Sequence, residues 1–191
     1  MIKRSYYIVN GITWYRIIAA PILIILVLTN QPELFKWLLA VSFFTDAVDG
    51  YLARKYKVTS RFGSRLDSIG DDLTIAAAIV GLFILKLEFI RSEIVLVGIL
   101  LVLFIVQNIL AYSRYHKQTS FHTYTAKTAA ILQGIFMILV FFLPNPVLVL
   151  FYVAATVTIL DLIEEIILIT ILPRWETNVK GLYWVLKRKN K

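Results

Sequence analysis

Long apolar runs alternate with short polar breaks along the whole chain, and the runs show no strand-like alternation of period two. Six runs stand out, at about residues 12–28, 34–52, 69–87, 94–112, 126–143 and 147–172. At 1.5 Å per residue, a helix over each of them matches a hydrocarbon core about 30 Å thick. The breaks are turn-forming: Thr29-Asn30-Gln31-Pro32 closes the first run, and Pro144-Asn145-Pro146 separates the last two. The expectation is all-α: a six-transmembrane-helix bundle forming one domain over 1–191. A basic, aromatic interfacial lead-in, residues 1–10, precedes it. The first run ends without a small-residue cleavage signal and is expected to be a retained span.

Composition agrees with that pattern. Of 191 residues, 59% are hydrophobic and 17% charged, against roughly 25% charged in a soluble chain. Mean hydropathy is +0.77. An integral membrane protein is expected, and the lack of cysteine excludes disulfides and thiolate metal sites. The net charge of +8 is better explained by topology than by a nucleic-acid partner. Basic residues gather at the N-terminus (Lys3, Arg4), after the second run (Arg54, Lys55, Lys57, Arg61, Arg65), after the fourth (Arg114, Lys117, Lys127) and in the C-terminal tail. The opposite breaks hold Lys36, Lys86 and Arg91, partly balanced by Glu33, Glu88 and Glu93. Positive charge stays in the cytoplasm, so both termini are expected to be cytoplasmic. A secondary role for the basic residues is to hold anionic lipid head groups. Trp14, Trp37, Trp175 and Trp184 fall at expected span ends, as interfacial anchors do.

The candidate chemistry lies on either side of the second break. Asp46 and Asp49 are three residues apart, and Asp67 and Asp71 four apart, spacings that stack two side chains on one helix face. A charge within a bilayer costs at least about 2.5 kcal/mol and usually marks a function. Four carboxylates would repel one another without cations, and hard oxygen ligands favour Mg²⁺ or Mn²⁺ over zinc. Asp46 is expected about 12 Å inside the helix end marked by Arg54, a depth suited to lipid head-group chemistry, with the site open to the cytoplasm. A proton relay or a non-enzymatic cation transporter is the alternative use of such residues.

In full, the stretch is Asp46-x-x-Asp49-Gly50-x-x-Ala53-Arg54, eight residues, then Gly63-x-x-x-Asp67-x-x-x-Asp71. It resembles the signature of the CDP-alcohol phosphatidyltransferases at every fixed position. Asn10-x-x-Thr13-x-x-Arg16, followed by Pro21, is similar to that family's N-terminal element. The resemblance implies transfer of a substituted phosphate from a CDP-linked donor, usually CDP-diacylglycerol, to an alcohol hydroxyl with release of CMP. It implies two divalent cations on Asp46, Asp49 and Asp67, with Asp71 completing the second cation's shell and acting as general base. Gly50 and Ala53 would let the nucleotide approach the helix, Arg54 would bind the diphosphate, and Asn10, Thr13 and Ser60 would donate to the nucleotide. A homodimer is implied as well. Intramembrane prenyltransferases also use Asp-rich helices and Mg²⁺, but with more helices and without the Gly-x-x-Ala-Arg continuation.

Other signals are weaker. Arg61 and Arg65 serve equally well as topology charges. Arg114, His122 and Lys127 are candidates for a phosphate contact, and His116 for a loop position. Asp161, Glu164 and Glu165 on the last run could pair with a basic residue, meet a second subunit or shape an acceptor pocket. Phosphatidylglycerophosphate synthases of the family tend to carry Pro after the third Asp and Lys after the fourth. Here Ser68 and Asp72 stand there, so glycerol phosphate, inositol phosphate, serine, an amino alcohol and phosphatidylglycerol all remain open as acceptors.

Overall fold

Each of the six apolar runs forms a helix, and most of the helices reach beyond the run that predicts them. The computed structural model describes residues 2–56 and 61–189, with the backbone alone at 2–10, 47, 50, 51, 53, 54, 61, 62, 64, 65, 68 and 189. In order these are α1 (Ile2–Leu28), α2 (Pro32–Tyr56), α3 (Arg61–Leu85), α4 (Leu87–Ser92), α5 (Ile94–Tyr115), α6 (Tyr124–Phe142), α7 (Leu148–Ile171) and α8 (Leu182–Lys189). The only β pairing among the described residues is an isolated bridge between Ser120 and Thr177. The chain packs as two compact units, Met1–Ile90 and Arg91–Lys191.

In the first unit α1 packs against both α2 and α3. The expected lead-in is helical and continuous with the first run. Ala19, Ala20, Leu23 and Val27 of α1 are buried with Phe35 and Leu39 of α2 and Ala77, Ala78 and Leu82 of α3. Small residues at such seams let backbones approach closely, which drives helix association where burial from water cannot. α3 begins eight residues before the predicted third run, so Gly63, Asp67, Gly70 and Asp71 all lie on helix rather than in a loop.

In the second unit α7 packs against α5, α6 and α8. Ala111 of α5, Phe121 of the following loop, Leu168 and Ile169 of α7, Leu172, Val179 and Val185 of α8 form one buried cluster. Thr123 caps α6, accepting a hydrogen bond from the Ala126 N–H at 3.0 Å, which satisfies one of the free donors of a helix start. His116 ends α5 in the left-handed conformation.

Among the described residues three helices are long and apolar enough to cross a membrane: α1 from Gly11 to Leu28, α5 and α6. On α5, Val95, Val102, Phe104 and Ile109 are exposed, a surface that suits lipid rather than water. The protein is therefore an integral membrane protein. In α2, α3 and α7 the apolar stretch is interrupted by carboxylates: Asp46 and Asp49; Asp71 and Asp72; Asp161, Glu164 and Glu165.

Candidate metal centre

The site is built where α1, α2 and α3 come together. The three- and four-residue spacings on α2 and α3 turn each carboxylate pair toward α1, and a single side chain of α1 meets all four. Arg16 is 1% exposed. Its Nη1 donates to Asp46 and Asp71, and its Nη2 donates to Asp67 and, at 2.9 Å, to Asp49 Oδ2. Each terminal nitrogen therefore bridges one carboxylate of α2 and one of α3. The Arg16 stem crosses Gly70, where an added β-carbon would lie 3.5 Å from the Arg16 β-carbon, so larger side chains there would meet it.

Asp49 forms the floor, 2% exposed, whereas Asp46, Asp67 and Asp71 are 43%, 41% and 37% exposed and open to incoming groups. Thr13, one turn before Arg16 and also buried, donates to Asp49 Oδ2 at 3.2 Å. Asp49 Oδ1 is buried with no hydrogen-bond partner among the described residues. A buried acceptor without a donor costs about 1–3 kcal/mol, so a functional partner is called for. Asp46, Asp49 and Asp67 each offer an oxygen within 4.8 Å of the others, the spacing and hard-donor chemistry of a divalent cation site. Asp71 lies outside that set of three and is tied to it through Arg16.

Asp46, Asp49, Asp67, Asp71 and Thr13 are thus brought together. The side chains of Asn10, Gly50, Ala53, Arg54, Arg61, Arg65 and Ser68 fall outside the described residues, and Ser60 does so entirely. Asp72 is exposed, turned away from Asp71 as helical geometry requires. Arg16 was visible in the sequence only as part of the N-terminal element. Its contacts cross 30 to 55 positions, which no local pattern encodes.

The other candidates lie in the second unit and have partners there. Arg114 Nε donates to the Leu172 carbonyl at 3.2 Å, Lys127 lies over the Tyr124 ring, and His122 meets Ser120 at 3.0 Å. The acidic residues of α7 take neutral partners: Thr123 donates to Asp161, Thr125 and the Leu182 N–H to Glu164, and Gln107 and Thr119 to Glu165.

Membrane helices with an acidic, cation-seeking centre define a class of intramembrane site; comparison with known proteins gives the family. The family model of CDP-alcohol phosphatidyltransferase matches residues 6–167, so the chain belongs to that family. It is 38% identical over 72 residues to a Haemophilus influenzae protein named CDP-diacylglycerol–glycerol-3-phosphate 3-phosphatidyltransferase, covering 36% of this chain and 39% of that one. It is 42% identical over 66 residues to the Saccharomyces cerevisiae CDP-diacylglycerol–inositol 3-phosphatidyltransferase, covering 35% and 30%. These two matches span well under two thirds of the relatives' length. A Rickettsia bellii protein named as a CDP-diacylglycerol–glycerol-3-phosphate 3-phosphatidyltransferase is 33% identical over 165 residues, 83% of each chain. No solved structure matches the chain.

Proposed function

We propose that this protein is a metal-dependent phosphatidyltransferase of phospholipid biosynthesis. It moves a phosphatidyl group from CDP-diacylglycerol to an alcohol hydroxyl and releases CMP. The observation that carries this is the convergence of four carboxylates from α2 and α3 on one buried centre, in a chain of this family.

Asp46, Asp49 and Asp67 would hold a pair of divalent cations, Mg²⁺ or Mn²⁺, with Asp71 completing the shell of the second. Bound there, the cations supply charge neutralisation to the pyrophosphate and to the phosphoryl group in flight. Asp71, open enough to meet an incoming alcohol, accepts the hydroxyl proton. The acceptor oxygen bonds to the phosphorus that carries the diacylglycerol, and the bond from that phosphorus to the CMP oxygen breaks. Asp49, pinned by Thr13 and Arg16, keeps the carboxylates in register. Arg54 has the planar fork that suits the diphosphate. Asn10, Thr13, Gly50, Ala53 and Ser60 are assigned to the nucleotide by the family motif.

Six spans (α1, α2, α3, α5, α6 and α7), cytoplasmic termini and a cytoplasmic active site are supported by the distribution of basic residues. One functional domain is supported by a family match that runs through both compact units. The protein acts as a homodimer. Glycerol 3-phosphate and inositol, named in the relatives, head the acceptor series, which also includes inositol phosphate, serine, an amino alcohol and phosphatidylglycerol.

The test is CMP release from CDP-diacylglycerol by the purified chain with Mg²⁺ or Mn²⁺ across that series. Release that depends on both the metal and one acceptor is expected. Cation flux through reconstituted protein with no nucleotide cleavage would instead make it a transporter.

A further inference from the structure

Among the described side chains four carboxylates are set against one guanidinium, so Arg16 organises the site without matching its acidic groups one for one. It does so at full occupancy of its terminal nitrogens, each shared between α2 and α3. Three of these carboxylates, Asp46, Asp49 and Asp67, have oxygens that lie close enough together to hold a cation. We infer that Arg16 is a resident counter-ion that competes with divalent cations for Asp46, Asp49 and Asp67, and so sets the cation concentration at which the site fills. This rests on the metal-dependent reading above.

The physical grounds are two. A carboxylate oxygen engaged by an N–H of a guanidinium presents fewer lone pairs to a metal, and here every one of the four carboxylates is so engaged. A fixed positive charge amid the ligands also repels an arriving dication, and burial at 1% exposure weakens solvent screening of that repulsion. Arg16 engages one oxygen of each carboxylate, so the second oxygens, among them the buried and unengaged Asp49 Oδ1, are the ones a cation meets without displacing it. Cation-free, Arg16 ties α2 to α3 through α1. Removing it therefore has opposite effects on the two states: the empty site loses its tie and the filled site loses a competitor.

The experiment measures Mn²⁺ affinity by electron paramagnetic resonance, and melting temperature with and without Mn²⁺, on the full chain in detergent. Arg16→Gln is expected to bind Mn²⁺ at least about tenfold more tightly than the unaltered protein, to melt lower without metal, and to gain more from its addition. Arg16→Lys keeps the charge but loses the bridging fork, and is expected to tighten binding about threefold. It serves where Arg16→Gln does not stay folded without metal. Equal or weaker Mn²⁺ binding by a helical, monodisperse variant overturns the inference and makes Arg16 a support for the metal. If the unaltered protein binds no Mn²⁺ at all, the metal-dependent reading falls and takes this inference with it.

Discussion

The Phe35 ring of α2 lies against Gly81 of α3 so closely that a β-carbon at position 81 would overlap it. Phe35 is fully buried, and along α2 it stands about 16 Å from Asp46. Gly81 thus sets how near α2 and α3 approach at one end, while the carboxylates meet at the other. Gly81→Ala is expected to destabilise the first unit by about 1–3 kcal/mol, the usual cost of overpacking. The measurement is the melting temperature in detergent. Phe35→Leu in the same chain should recover part of the loss, and no loss in the single variant would remove this contact as the spacer.

Asp71 is the proposed base, and its removal tests the chemistry apart from the fold. Asp71→Asn keeps the shape and a hydrogen-bond acceptor for Arg16 but cannot take a proton at neutral pH. CMP release is expected to fall by about 10²–10⁴-fold, the span of general-base catalysis, with helical content unchanged. Activity within tenfold of the unaltered protein would move the base elsewhere.

How much of this was legible in the sequence depends on distance along the chain. The six apolar runs and the Asp46, Asp49, Asp67 and Asp71 spacings are local patterns, and the helices carry all of them. Arg16 was placed in the right motif but not at the centre, because its partners lie on two other helices. Gly70, across which Arg16 passes, sits in no fixed motif position and gave no signal. α8 was missed for a different reason. It is eight residues long, and among its described side chains only Leu182 and Val185 turn inward, too few for a period to show. Asp161, Glu164 and Glu165 were conspicuous as acidic residues in an apolar run, yet their partners are hydroxyls, an amide and a backbone N–H, which sequence does not distinguish from surface.

Thr13 tests whether the carboxylates need orienting. Its hydroxyl donates to the same Asp49 oxygen that Arg16 engages, leaving Oδ1 for a cation. Groups that orient a ligand from behind are typically worth 10–100-fold in metal affinity or activity. Thr13→Val keeps the volume and removes the hydrogen bond. Mn²⁺ affinity is expected to drop by about tenfold or more, read by paramagnetic resonance, while Thr13→Ser retains it. Unchanged affinity in Thr13→Val would confine Thr13 to the nucleotide.

The second unit offers a test independent of the metal. Glu164 accepts the Leu182 N–H at 2.7 Å and the Thr125 hydroxyl, so one carboxylate of α7 fastens the start of α8 and the start of α6. Gly181 makes this approach feasible: its φ of +150° suits glycine, and a β-carbon there would sit 3.0 Å from the Glu164 oxygen. Hydrogen bonds to a charged group contribute about 1.5–3 kcal/mol, and each 1.4 kcal/mol is tenfold in an equilibrium. Glu164→Ala is therefore expected to raise hydrogen exchange in α8 by about tenfold or more, and to speed tryptic cleavage at Lys187 and Arg188. Exchange in α5 should rise less, because besides the cluster it shares with α8 it is held through Gln107 to Glu165 and through Tyr115 and Arg114 to the carbonyl of Leu172. Equal protection of α8 in the variant would show that Val185, buried in the core of this unit, holds the helix without Glu164.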